Sequence, residues 1–234
     1  MKHTLLIKDW LSSFLSLLFP RCCVVCGRPL AKGEECICTV CNINLPRTNY
    51  HLRKDNPVER LFWGQIPLER ATSFFFYEKG SDFRLILHRL KYGGQKEIGA
   101  IMGRYMAAEL LSSHFFQGID VIIPIPLHKK KQQIRGYNQS EWIARGIAAV
   151  TGIPIDTESI LRKKNTETQT RKSVFERRDN VEGIFELQHP ETLAGKHILI
   201  VDDVLTTGST TLACASCLVN VEGIRRSEEH TSEL

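Results

Sequence analysis

The sequence predicts an α/β protein: a parallel sheet flanked by helices, with a short N-terminal helix and a small cysteine module in front. Three observations predict it. IDVIIPIPL (Ile119 to Leu127) and KHILIVDDV (Lys196 to Val204) are short, unbroken apolar runs, the pattern of strands covered on both faces. Each is followed by residues with apolar positions at helical spacing, so strands and helices alternate. Six of the eight cysteines fall between Cys22 and Cys41. The chain of 234 residues is 42% hydrophobic and 24% charged, which suits one globular domain with an appendage and excludes a disordered or fibrous chain. A net charge of +5 tolerates phosphate or nucleic acid and demands neither.

Residues 1–20 place Leu6, Trp10, Phe14 and Leu17 at helical spacing, and Pro20 ends the pattern. Lys8 and Asp9 interrupt the stretch and no small-residue cleavage site follows, which argues against an export signal. The stretch is also too short for a stable membrane span. A helix docked on its own protein, and a cytoplasmic location, are expected. Residues 21–46 form the cysteine module, and residues 47–70, with Pro57, Gly64 and Pro67, read as a connector. The main domain then runs over 71–225. ATSFFFYE (71–78) is strand-like, SDFRLILHRLK a helix capped by Ser81 and broken at Gly93-Gly94, and Lys96 to Phe116 a second helix. NQSEWIARGIAAVTG is a helix ending near Gly152. Residues 161–180 are polar without apolar period, a loop or lid. GIFEL is a short strand, and STTLACASCLVNVEG the helix after the strongest strand.

The tail RSEEHTSEL (226–234) has the composition of a solvated end. It also resembles the translation of a common sequencing adapter, and it begins where one more strand is due. The expectation is that these residues stand outside the fold and that the sheet lacks its final edge strand.

The cysteines form two C-x-x-C pairs, Cys23/Cys26 and Cys38/Cys41, separated by eleven residues. Two such pairs fit a tetrahedral zinc site, each pair gripping one side. Cys22 and Cys36 are spare, and a register using Cys36 stays open. So small a segment has little core, so the metal is expected to supply its folding energy. Cys214 and Cys217 lie in a helix and read as small buried residues.

ILIVDDVLTTGSTT (Ile198 to Thr211) carries the chemistry. Ligands of open α/β sheets sit beyond the carboxyl ends of the strands, where Asp202 and Asp203 fall. Val204 and then Thr206, Thr207, Gly208, Ser209 and Thr210 lead into a helix. Small residues let backbone N–H groups turn inward, the helix start adds partial positive charge, and hydroxyls add donors: a phosphate cradle. Carboxylates are poor phosphate ligands and good partners for sugar hydroxyls, so one ligand suits both halves, a phosphate joined to a ribose. A P-loop needs a lysine that is absent here. A phospho-receiver domain has its acid pair near its beginning, and about thirty residues are too few for one to follow. A plain turn and helix cap account for one Asp and one Thr, not for the whole pattern.

VDDVLTTGSTT resembles the phosphoribosyl-pyrophosphate (PRPP) motif of type I phosphoribosyltransferases. With VIIPIPLHKKK, RGYNQSE and TQTRKSVFERRDNVEGIF, the chain resembles the ComF family over most of its length. The resemblance implies a type I phosphoribosyltransferase-like sheet behind a zinc ribbon. It implies that Asp202 and Asp203 hold the ribose 2′ and 3′ hydroxyls, that 206–210 bind the 5′-phosphate, and that Mg²⁺ arrives with PRPP. Leu127, His128, Lys129 and Lys130 match the pyrophosphate loop by position, where donors stabilise the leaving group. Arg135, Asn138 and Gln139 follow, with Gly136 a site of close backbone approach. Arg162, Gln169 and Arg178 lie in the segment resembling the loop that closes over the ribose. His128 is a candidate acid/base. The acceptor is not legible. The family's link to DNA uptake in natural competence is implied in the same way. Two other readings stand beside this one: a non-catalytic nucleotide or single-stranded DNA binding module, and a zinc-mediated adaptor for competence proteins.

Overall fold

The computed structural model describes residues 20–164, 183–219 and 226–233, the last of these as backbone alone. The expected N-terminal helix lies outside the described residues. In chain order come α1 (Thr39–Ile43), a 3-10 turn (Tyr50–Leu52), α2 (Pro57–Arg60), β1 (Leu68–Phe76), α3 (Arg84–Tyr92) and α4 (Glu97–Leu111). Then follow β2 (Val121–Pro124), α5 (Lys129–Arg135), α6 (Gln139–Thr151), β3 (Ile160–Arg162), β4 (Phe185–Leu187), α7 (Pro190–Leu193), β5 (His197–Val201), α8 (Ser209–Val219) and β6 (Arg226–Glu233).

Four parallel strands make the main sheet in the order β1-β6-β5-β2. The apolar runs occupy it as predicted. Ile122, Ile198 and Leu199 have no exposed surface, because helices cover both sheet faces. Register pairs Val121 with Ile198 and Pro124 with Val201, so β2 and β5 deliver their following loops to the same sheet edge. One face is covered by α3, α4 and α6, which bury Ile86, Leu90, Met102 and Ile147. α4 and α6 pack with their backbones almost in contact. A Cβ on Gly103 would strike the Ile143 carbonyl, and one on Gly146 the Ala100 carbonyl.

Four expectations are corrected. The tail does not stand outside the fold: Arg226–Glu233 forms β6 and pairs with β1 on one side and β5 on the other. In backbone β6 is an internal strand, because parallel bonding on two sides is open to any extended segment whatever its side chains. Leu161 and Arg162, read as loop, close the short antiparallel pair β3–β4, where Ile160 and Phe185 are buried. The connector is structured: Asn56 caps α2 in a capping box with Glu59, and its amide donates to the Ala71 carbonyl of β1 at 2.8 Å. Finally, the cysteine module does have a core. Val24, Ile37 and Leu45 belong to the same buried cluster as Phe74, Met102 and Leu110. The ion pair Arg104–Glu35 ties the module to α4, and Arg47–Glu109 at 2.6 Å ties the residue just after it. Among the described residues no helix is long and apolar enough to cross a membrane.

Candidate functional site

The acid pair stands where the chain leaves β5. Asp202 Oδ1 accepts two hydrogen bonds, from the Ser140 hydroxyl at 3.1 Å and from the Asp203 backbone N–H at 2.8 Å. Asp203 is held differently: its Oδ2 lies 3.3 Å from the Lys91 ammonium, and the two side chains keep only 14% and 20% of their surface exposed. Ser140 is the second residue of α6 and Lys91 the penultimate residue of α3. The two acids are thus fixed by two different helices. Burial, and after it the neighbouring Asp203 charge, lifts the Asp202 carboxyl from 3.8 to about 7. An apolar cavity of about 20 Å³ lies beside it, lined by Phe74, Phe75, Leu90 and Met102 among others.

The following turn is anchored from below. Leu205 is buried against Val58, Phe62 and Ala71, so the former connector forms its floor. Val204 is half-buried against the main core. Thr206 and Thr207 are exposed, Gly208 is buried, and Ser209 and Thr210 are half-buried at the start of α8. Gly208 has φ +70, and a Cβ there would meet the Phe62 ring at 3.0 Å. The Thr207 and Ser209 hydroxyls lie 2.8 Å apart. The Thr211 hydroxyl is buried with no hydrogen-bond partner among the described residues. A glycine-only curl, paired hydroxyls and the N-terminus of an eleven-residue helix fit an anion.

The loop after β2 emerges at the same sheet edge but is not all loop. His128 is the N-cap of α5, its Nδ1 accepting from Lys130 N–H at 3.3 Å, and Lys129 and Lys130 are exposed in the first turn. Leu127 is half-buried before it. Gly136 does not mark a close backbone approach: it is the left-handed end of α5, and a Cβ there would meet nothing within 4 Å. Asn138 and Gln139 are buried. Asn138 caps α6 and donates to the Ile125 carbonyl at 3.0 Å, while Gln139 accepts from Arg135 at 2.7 Å. Tyr137 packs and donates to the Leu90 carbonyl at 2.5 Å. Arg162 lies over the Phe185 ring and within electrostatic reach of Asp202. Gln169 and Arg178 lie outside the described residues. Sequence reasoning missed Lys91, Ser140 and Phe62. The signal for Lys91 was a lysine just before Gly93-Gly94, indistinguishable from an ordinary helix end.

The cysteine cluster is Cys23, Cys26, Cys38 and Cys41, whose sulfurs all lie within 4.8 Å of one another. Tetrahedral zinc with Zn–S bonds of about 2.3 Å sets sulfurs about 3.8 Å apart, and Cys26 and Cys38 stand at 3.7 Å. Backbone N–H groups of Cys38 and Cys41 point at the Cys23 and Cys38 sulfurs. The Arg28 guanidinium donates to the Cys26 sulfur and holds that thiol down at about 6. Burial pushes Cys41 the other way, a cost that a bound cation offsets. Four such sulfurs can bind a metal. Cys36 is buried outside the cluster, with its thiol pushed up to about 12 by burial. Cys214 is buried and Cys217 half-buried with its S–H on the Phe185 and Ala213 carbonyls. Among the described residues the acid pair belongs to no metal-binding cluster.

No family model matches the chain. It is 32% identical over 218 residues to the DNA utilization protein YhgH of Escherichia coli O157:H7, covering 87% of this chain and 92% of that protein. Competence protein F of Haemophilus influenzae is 32% identical over 130 residues, 54% of this chain and 57% of the relative. Competence protein ComFC of Bacillus subtilis is 26% identical over 215 residues, 90% and 82% of the two chains. A solved structure described as the allosteric regulatory enzyme of purine biosynthesis overlaps 60% of this chain and 25% of its own, with TM-score 0.34 and 18% identity, a partial likeness only.

Proposed function

Because the chain belongs to the ComF family, we propose that it binds Mg²⁺–PRPP at residues 202–210 and transfers the phosphoribosyl group to an acceptor, in the service of DNA uptake. The observation that supports this most is the joining of a fixed acid pair to a hydroxyl-rich, glycine-curled turn at one strand end. On this reading Asp202 and Asp203 accept hydrogen bonds from the ribose hydroxyls. The N–H groups of 206–210 and the Thr207 and Ser209 hydroxyls donate to the 5′-phosphate. Lys129 and Lys130 face the leaving diphosphate as its charge develops. The C1′–oxygen bond to diphosphate breaks and a bond from C1′ to the acceptor forms, with loss of the acceptor's proton. Mg²⁺ arriving with PRPP would supply charge neutralisation for the leaving diphosphate. It suits a site that offers two carboxylates, one already paired with Lys91, since this ion keeps waters and substrate oxygens as ligands. The four cysteines hold a structural zinc ion.

A second reading draws on the exposed Lys129 and Lys130 and on the relatives' names: a module that binds nucleotide or single-stranded DNA without turnover. A salt series separates the two. Binding to a polyanion falls steeply with salt and ignores Asp202→Asn or Asp203→Asn. Sugar-phosphate binding is lost in either variant. Diphosphate release from PRPP in the presence of candidate acceptors then decides whether turnover occurs.

A further inference from the structure

Lysine is at home in the last turn of a helix, where it meets the negative end of the dipole and points to water. Lys91 does otherwise. It turns inward, keeps 20% of its side-chain surface and sets its ammonium 3.3 Å from Asp203. Drawing an ammonium out of water is costly unless its partners repay it. The neighbouring residue, Tyr92, carries the Arg135 guanidinium 5.6 Å from its ring centroid. The end of α3 therefore touches both the acid turn and the last residue of α5.

The two acids are not equivalent. Asp202 receives neutral donors, a serine hydroxyl and a backbone N–H, whereas Asp203 has an ammonium beside it. An ammonium has three protons and a carboxylate about four acceptor directions. One contact between them leaves both able to share a third group. A sugar hydroxyl is such a group, because it donates one hydrogen bond and accepts another.

We propose that Lys91 is a sugar-recognising residue: the ribose hydroxyl that donates to Asp203 accepts from the Lys91 ammonium. The proposal rests on the sugar-phosphate reading of the acid pair. A sugar lacking that hydroxyl forfeits both hydrogen bonds at once, one to each member of the pair.

The test is calorimetric titration of wild type, Lys91→Met and Lys91→Arg with four ligands: ribose 5-phosphate, its 2-deoxy and 3-deoxy analogues, and glycerol phosphate. Thermal melts confirm that each variant is folded. Wild type is expected to prefer ribose 5-phosphate over one deoxy analogue by about tenfold or more. Lys91→Met should shrink that preference to about threefold or less while glycerol phosphate affinity stays unchanged, and Lys91→Arg should restore part of it. Undiminished preference in Lys91→Met overturns the proposal. So does a proportional loss for all four ligands, which is the mark of a merely structural lysine. Wild type that binds none of the sugars overturns the sugar-phosphate reading itself, and this proposal with it.

Discussion

The Phe62 ring lies where a side chain on Gly208 would begin: a Cβ there would stand 3.0 Å from two of its ring carbons. A segment that reads as linker therefore sets the shape of the turn that opens α8. Gly208 also has φ +70, which costs an L-residue about 1–2 kcal/mol. Gly208→Ala is expected to lower stability by about that amount and to weaken phosphate-ligand affinity about tenfold or more. Gly208→Ala/Phe62→Leu should recover only the steric part. Urea unfolding and calorimetry read the two effects separately.

Asp202 makes the site pH-dependent. An acid whose pKa rises on folding holds its proton more tightly folded than unfolded. Its stabilising contribution is complete below 3.8 and is lost as pH climbs through about 7. Asp202→Asn, which mimics the neutral acid, should melt a few degrees above wild type at pH 8, and the difference should fade toward pH 4. Ligand affinity that uses the carboxylate should instead rise from pH 6 to pH 8. Melting curves and titrations across that range check both signs.

Removal of metal should destabilise more than the cysteine module. Cys23, Cys38 and Cys41 are buried in the same cluster as Phe74 and Leu110. Chelation, or Cys38→Ser, is therefore expected to lower the melting temperature of the whole protein by about 10 °C or more in a single transition. Metal analysis should find one zinc per wild-type chain and none in Cys38→Ser. Cys36→Ser should keep its zinc.

Much of the fold was legible because burial leaves a local record. Ile119 to Leu127 and Lys196 to Val204 announce covered strands by unbroken apolarity. Asn138 and Gly152 bracket α6 as cap and left-handed end, as the residue types demand. The paired C-x-x-C spacing located the sulfur cluster, and the position of Asp202 and Asp203 after β5 followed from strand length. Lys91, Ser140 and Phe62 were not legible, because each reaches the site by a contact between distant segments, and such contacts leave no period in the sequence. β6 was missed for the opposite reason. It pairs by its backbone with β1 and β5, and RSEEHTSE carries no apolar pattern from which a strand is read.

The central claim is that the acid pair and the turn after it form one sugar-phosphate site. Titration of Mg²⁺–PRPP into zinc-loaded protein, with Asp202→Asn/Asp203→Asn run alongside, tests it most directly. The account predicts saturable heat for the wild type and its loss in the folded double variant. Equal binding by both proteins, or no heat from a folded wild type, would contradict it.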